Sequence, residues 1–113
     1  MCVSVKFPDD WDILTRINYL QRKIIISSIA YYELDEPFMS DYRYDGLVQL
    51  LKELMDNCAQ REQSRYWYVF KEWTGATGAF LYSGLNREDK KALLWHTRHI
   101  LGVVEDYRKE NGK

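Results

Sequence analysis

One stretch of the sequence limits the fold more than any other, because its apolar residues recur at a helical spacing. Between residues 44 and 58 apolar side chains return every three or four positions, partly as adjacent pairs. They are Tyr44, Leu47, Val48, Leu51, Leu54, Met55 and Cys58. On an α-helix these positions form one wide apolar stripe that another element must cover. The sequence therefore predicts a packed helical protein, in which Ser40 or Asp41 can cap this helix.

A second apolar stripe precedes the first along the chain. Ile13, Ile17, Leu20 and Ile24 lie three or four residues apart and so share one helical face. We expect this helix to begin near residues 8–10, where a proline and two carboxylates suit a first turn, and to continue to about Tyr32. Two helices joined by a short connection pack antiparallel. Residues 12–56 are therefore predicted to form an antiparallel helical hairpin.

The aromatic segment, residues 64–85, allows two interpretations. Its aromatic run at 65–70 and the turn-forming residues at 74–78 are compatible with a small β-hairpin around residues 65–82. The alternative, which we prefer, is a pair of short helices joined by a tight loop. Large aromatics beside arginine are common at interfaces, so Tyr66, Trp67 and Trp73 either form a partner surface or fill the core, and the sequence favours neither.

The C-terminal helix is predicted over residues 86–108. Asn86 with Asp89 three positions later resembles a capping box. The apolar face of this helix is formed by Leu93, Thr97, Ile100, Val104 and Tyr107. We therefore expect residues 1–113 to form a single, mainly α domain, with the helical hairpin at 12–56, the aromatic segment at 64–85 and the C-terminal helix at 86–108.

Charge and composition exclude several classes of function. Sixteen lysines and arginines against seventeen acidic residues give a formal charge of −1, which argues against a broad nucleic-acid surface. No apolar run approaches the roughly 20 residues that span a bilayer, so we expect no membrane insertion. The two cysteines are fewer than a secreted chain of this size usually carries. The expected location is the cytoplasm.

Candidate sites for metal binding and catalysis are weak. His96 and His99 lie three residues apart on one helical face, but a zinc site needs three or four ligands and no adjacent cluster supplies them. No plausible pairing of a nucleophile with a base emerges. We therefore expect no metal site and no catalytic residue, and an enzyme is the least favoured of the functions that the sequence leaves open.

The most specific feature is a motif that spans the connection between the first two helices. Tyr31-Tyr32 is followed by Leu34-Asp35-Glu36-Pro37, then by Ser40-Asp41, and then by Tyr44-Asp45-Gly46-Leu47. This arrangement resembles the amino-terminal segment of NAD-dependent DNA ligases. In that family a helix ends in Tyr-Tyr or Tyr-His, a Leu-Asp-x-Pro turn follows, and Ser-Asp-x-x-Tyr-Asp-x-Leu begins a second helix. The resemblance covers about residues 12–56.

The resemblance implies a role in recognising the nicotinamide mononucleotide half of NAD. The positions that match the family's contacting residues are Tyr31, Tyr32, Asp41, Tyr44 and Asp45. A tyrosine ring can stack on a cationic pyridinium, an interaction of roughly 0.5–2 kcal/mol. Carboxylates can accept hydrogen bonds from ribose hydroxyls and a carboxamide. The residue types therefore suit nicotinamide, although a turn and a capped helix need several of them for packing alone.

Two departures from the ligase pattern limit what the resemblance implies. The ligase nucleophile is a lysine in Lys-x-Asp-Gly, whereas this chain has Arg43 at that spacing, and arginine stays protonated. Residues 27–30 are Ser-Ser-Ile-Ala, where the family usually carries Asn or His and a further aromatic. The chain is therefore not expected to be a DNA ligase by itself.

Two functions from different classes follow from these residues. The first is a non-catalytic module that binds NAD or nicotinamide mononucleotide and requires no cofactor, with the aromatic segment folded back as a lid over the ligand. The alternative is a small interaction or regulatory protein of the phage or prophage type. In that case the ligase-like hairpin serves as a scaffold and the partner is another protein.

Overall fold

The computed structural model describes residues 7–36, 39–71, 73 and 80–110, the last range with side chains as far as Val103. Over these residues the chain is helical and contains no strand, which confirms the mainly α fold class. The elements are α1 (Ile13–Ser28), a π-helical turn (Ile29–Glu33), α2 (Asp41–Asp56), a 3₁₀ turn (Arg61–Gln63), the single-turn helix α3 (Trp67–Phe70) and α4 (Arg87–Glu110).

The first helix begins later than the sequence predicts. Asp12, in extended geometry, caps α1 by accepting a hydrogen bond from the backbone N–H of Thr15 at 2.8 Å. The prediction of a start near residues 8–10 is therefore wrong, because this cap sets the boundary. The helical path then continues to Glu33, close to the predicted end, but its last turn is wider. There the N–H of Leu34 bonds to the carbonyl of Ile29, five residues back, at 3.0 Å.

The chain leaves the π-helical turn through a left-handed residue. Asp35 has φ of 54°, and the N–H of the next residue, Glu36, bonds back to the carbonyl of Ala30 at 2.8 Å. Helices commonly end with a left-handed residue followed by a hydrogen bond back to the last helical turn. Glycine adopts the left-handed conformation with the least strain. The helical path that begins with α1 therefore ends at this residue.

The strain at this exit leads to a testable prediction. We expect Asp35→Gly to raise the free energy of unfolding by about 0.5 kcal/mol, because glycine relieves the left-handed strain but loses more entropy on folding. Urea unfolding of both proteins measures the change. The matched control is Glu36→Gly, whose backbone is not left-handed and which we expect to destabilise the protein. A loss of stability in Asp35→Gly as large as in the control contradicts the prediction.

The second helix matches its prediction in position and in its buried face. Ser40 is the N-cap and accepts a hydrogen bond from the N–H of Arg43 at 3.2 Å. The predicted stripe faces α1, with Leu47, Val48, Leu51 and Met55 buried. On the other side of this interface α1 buries Ile17, Leu20, Ile24 and Ile25 completely, and the π-helical turn buries Ile29. The helical hairpin is thus confirmed, and its facing stripes form most of the core.

The aromatic segment does not form the β-hairpin that the sequence left open. Its described residues form α3 and flanking turns, while residues 74–79 of the proposed hairpin lie outside the described part of the chain. The physical reason is that side chains of α1 take the backbone groups a partner strand would need. Asn18 accepts from the N–H of Arg65 at 2.7 Å, and Gln21 accepts from the N–H of Tyr66 at 3.0 Å.

The last helix runs beside α1 in the same direction. Asn86 accepts a hydrogen bond from the N–H of Asp89 at 2.8 Å, as the predicted cap requires. Arg22 of α1 meets His96 of α4, and one helical turn later Ile26 and Ile100 line the same cleft, so the two helices are parallel. Helix α4 also contacts the π-helical turn. Among the helices of the described residues, none has an apolar stretch of the length that a membrane span requires.

Candidate functional site

The five residues that the motif predicts as ligand contacts lie at one end of the helical hairpin. Tyr31 and Tyr32 belong to the π-helical turn, and Asp41, Tyr44 and Asp45 occupy the first turns of α2. The antiparallel packing of the hairpin places the end of α1 beside the beginning of α2. Three aromatic rings and two carboxylates are therefore carried by adjoining pieces of backbone.

Tyr44 joins the two helices at this end of the hairpin. Its hydroxyl lies 3.0 Å from Oγ of Ser28, a buried residue in the last turn of α1. The Ser28 hydroxyl already donates to the carbonyl of Ile24 at 2.9 Å, so the Tyr44 hydroxyl is the donor to Ser28. Burial raises the pKa of Tyr44, and the nearby Tyr32 and Asp45 raise it further. Tyr32 and Asp45 therefore both lie near the Tyr44 hydroxyl.

The two tyrosines of the π-helical turn stack on each other. The ring centroids of Tyr31 and Tyr32 are 4.8 Å apart with planes inclined by 9°. Each residue is 47% exposed. Because the rings cover each other's inner faces, a ligand can contact only the outer faces of the stacked pair. A flat ligand ring can extend such a stack without reordering the side chains, which lowers the entropic cost of binding.

The two aspartates make this end of α2 acidic. Asp41 and Asp45 are both exposed, and residues four apart lie on the same side of a helix. Like charges so placed weakly destabilise the helix, but their combined field attracts a cation. The described residues include no group of three or more potential metal ligands. The chemistry available here is aromatic stacking together with hydrogen-bond acceptance by oxygen.

The residues predicted as an interface lie elsewhere. Tyr66 is buried, and Trp67 and Trp73 are partly buried against the core, so in this arrangement Tyr66 offers little area to a partner. Because Asn18 and Gln21 hold residues 65 and 66 against the middle of α1, the segment starts away from the Tyr31–Tyr32 pair. Helix α4, in addition to α1, contacts the π-helical turn. The interface role of these three residues stays a prediction.

Sequence reasoning missed several features of this end of the hairpin. Ser28 was noted only as a departure from the ligase motif, although it orients Tyr44. The two most exposed large apolar side chains of the described residues are Phe80 at 74% and Trp95 at 66%, outside the predicted interface. The serines at positions 27 and 28 indicated a polar contact at the end of this helix. The sequence did not show that the partner of Ser28 is Tyr44.

Comparisons with known proteins agree with the motif. Residues 11–62, a little under half of the chain, match the family model described as the DNA ligase-like, N-terminal NAD+-binding domain. A DNA ligase of Acholeplasma laidlawii (strain PG-8A) is 44% identical over 43 residues, which are 38% of this chain and 6% of that ligase. No solved structure gave a significant match. The resemblance of the hairpin to this part of the ligases is confirmed, and the chain spans only a small fraction of its ligase relative.

Proposed function

We propose that this chain is a non-catalytic module that binds the nicotinamide half of NAD, or nicotinamide mononucleotide, at the end of its helical hairpin. The observation that supports this is that the segment matching the NAD+-binding family model carries all five motif residues. These are Tyr31, Tyr32, Asp41, Tyr44 and Asp45. The matched segment ends before the aromatic segment and α4, so the proposal concerns the hairpin alone.

The proposed contacts follow from the chemistry of the site. The pyridinium ring stacks on the Tyr31–Tyr32 pair, whose rings are already parallel. Asp45, exposed and close to Tyr44, accepts hydrogen bonds from the ribose or the carboxamide and favours the positive ring. Tyr44 is fixed by Ser28 and positions the beginning of α2. The tyrosine stack and the carboxylate both favour a cationic aromatic group over a neutral or anionic one.

We expect the affinity to be weak. Typical small-molecule sites bury 70–90% of the ligand, whereas both tyrosines and both aspartates are exposed here. We expect a dissociation constant of about 1 mM, which corresponds to a binding free energy of about −4 kcal/mol. The ligand's outer face remains in water unless a second protein surface covers it.

The test is a calorimetric titration of NAD, nicotinamide mononucleotide and AMP into the wild type and Asp45→Ala. We expect heat from the first two ligands, little from AMP, and an affinity at least about tenfold lower in the variant, because a hydrogen bond to a charged group contributes about 1.5–3 kcal/mol. The matched control is Asp56→Ala, which removes an exposed carboxylate from the other end of α2.

Two outcomes contradict the proposal. Equal heat from AMP and from nicotinamide mononucleotide shows that the nicotinamide ring is not recognised. Equal affinities in Asp45→Ala and Asp56→Ala show that the site does not lie at the beginning of α2.

The second candidate, an interaction protein that uses the hairpin as a scaffold, is favoured by the exposed Phe80 and Trp95. Large exposed aromatics are enriched at binding surfaces. The same titration separates the two functions: a folded protein that binds no nicotinamide compound leaves the interaction protein as the better proposal.

A further inference from the structure

A cleft between α1 and α4 lies outside the candidate nicotinamide site. Its volume is about 190 Å³, and it is lined by Tyr19, Arg22, Lys23, Ile26, His96 and Ile100. Arg22 precedes Ser28 by six residues, which places the two side chains on different faces of α1. None of the five motif residues lines the cleft.

The cleft is lined by basic groups and by no carboxylate. Among the described residues the one ion pair joins Arg65 to Asp89, so neither Arg22 nor Lys23 has an acidic partner there. Nη2 of Arg22 lies 3.0 Å from Nδ1 of His96. Nζ of Lys23 lies 5.7 Å from the Tyr19 ring centroid and 3.4 Å from its hydroxyl. Arg22 and Lys23 therefore contact neutral groups, and each keeps N–H donors that can bind a further acceptor.

His96 is held in a strongly cationic setting. Because arginine always carries its protons, the imidazole nitrogen facing Arg22 must accept the hydrogen bond. Burial lowers the pKa of His96, and the positive charge of Arg22 and the neighbouring His99 lower it further. The other charged or titratable groups lining the cleft are Lys23 and Tyr19 of α1. An anion placed between these groups would offset the repulsion among them.

We propose that this cleft binds a phosphate or pyrophosphate group, either free or at the end of a small phosphorylated molecule. The guanidinium of Arg22 presents several donors in a fixed plane, which matches phosphate oxygens, and Lys23 adds a second positive charge. Ile26 and Ile100 form an apolar wall, next to which charge interactions are less screened. The volume is below the roughly 300–1,000 Å³ of sites for whole drug-sized ligands, so the cleft suits the anionic group itself.

The test is a proton NMR titration of the full chain with inorganic pyrophosphate, followed at its two histidines. We expect a saturable shift of the His96 resonances at millimolar concentrations and a rise in the pKa of His96. His99, which stacks on Trp95 at 5.3 Å, is an internal reference and should move less. His96→Gln assigns the resonances. A nucleoside diphosphate is titrated in parallel. If it binds more tightly than inorganic pyrophosphate, the cleft accepts the pyrophosphate group as part of a larger molecule; if it binds more weakly, the cleft prefers the free anion.

The variants are chosen to separate a specific site from general charge attraction. Arg22→Gln should weaken pyrophosphate binding by about tenfold, because a charge-assisted contact of about 1.4 kcal/mol is lost. Arg98→Gln removes an exposed arginine of α4 that does not line the cleft, and should leave binding unchanged. Asp45→Ala should also leave it unchanged, so that failure of the nicotinamide site and failure of this site can be told apart.

Two results overturn the proposal. A shift that grows linearly with pyrophosphate and equals that in sodium chloride of the same ionic strength shows screening rather than binding. Equal affinities in Arg22→Gln and Arg98→Gln show that the anion does not occupy the cleft.

Discussion

Replacing Gln21 with alanine is expected to lower the free energy of unfolding by about 3 kcal/mol. Gln21 is fully buried in α1. Its Nε2 donates to Oγ of Ser64 at 3.0 Å, and its Oε1 accepts from the N–H of Tyr66 at 3.0 Å. The substitution leaves that N–H without a partner in a buried position and opens a cavity under the aromatic segment. Both effects act in the same direction.

Urea unfolding measures this loss, and Gln49→Ala is the matched control. Gln49 is exposed on α2, where a glutamine-to-alanine change usually alters stability by less than about 0.5 kcal/mol. Asn18→Ala removes the neighbouring contact to Arg65 and should give an intermediate loss, because Asn18 is only partly buried. Equal stabilities of Gln21→Ala and Gln49→Ala would show that the aromatic segment is not anchored by Gln21.

The helical hairpin could be predicted because residues close together in the sequence determine its helices. The stripe from Tyr44 to Met55 has helical periodicity, and Ser40 lies at the position where a cap is needed. Gln21 carries no such information. It is a polar residue between Leu20 and Ile24, and its partners, Ser64 and Tyr66, lie more than forty residues away. Periodicity finds a buried apolar face, but it does not reveal which polar residue will be buried with it.

The secondary structure of the aromatic segment was also ambiguous because it depends on partners that are distant in the sequence. Residues 65–70 suit a strand or a helix by propensity, and their hydrogen bonds to Asn18 and Gln21 decided between them. These contacts depend on how α1 packs, which no local pattern shows. Tertiary contacts commonly override weak local preferences of this kind.

The candidate site was predictable in its members but not in its arrangement. The motif named Tyr31 and Tyr32, but not that they stack on each other. The hydrogen bond that closes the π-helical turn spans five residues, one more than in an α-helix. The apolar periodicity of the sequence does not distinguish the two kinds of turn. The contact of Tyr44 with Ser28 likewise needed the relative position of two helices. Chemistry at single positions can be inferred from sequence, whereas ring and hydroxyl geometry requires the fold.

The second large effect concerns Asp89, which joins the aromatic segment to the beginning of α4. Arg65 donates to its two oxygens at 3.2 and 2.6 Å, and the hydroxyl of Tyr68 donates to it as well. The Tyr68 hydroxyl also accepts from the N–H of Asn86 at 3.2 Å, the contact that a capping-box side chain at position 89 would otherwise make. Asp89 is buried, so its charge is compensated mainly by these donors.

We expect Asp89→Asn to lower the free energy of unfolding at neutral pH by about 2 kcal/mol. The asparagine keeps one acceptor oxygen but loses the charge that pairs with Arg65. The Arg65 side chain is 53% exposed, so solvent screens part of the ion pair and the loss is smaller than for a fully buried pair. The matched control is Asp56→Asn, an exposed aspartate at the end of α2, which should change stability little.

The dependence on pH identifies the carboxylate as the cause. The hydrogen bonds from Arg65 lower the pKa of Asp89, and those from Tyr68 and Asn86 add to this. A lowered pKa means that the ionised form stabilises the fold above the unfolded-state value of about 3.9, and that this stabilisation disappears as the pH falls through the folded-state pKa. Urea unfolding at decreasing pH should therefore show wild type and Asp89→Asn converging below about pH 4. A difference that stays constant to the lowest pH would instead assign the effect to the altered hydrogen-bonding geometry of the amide. Convergence would show that the charge of Asp89 holds the aromatic segment to α4.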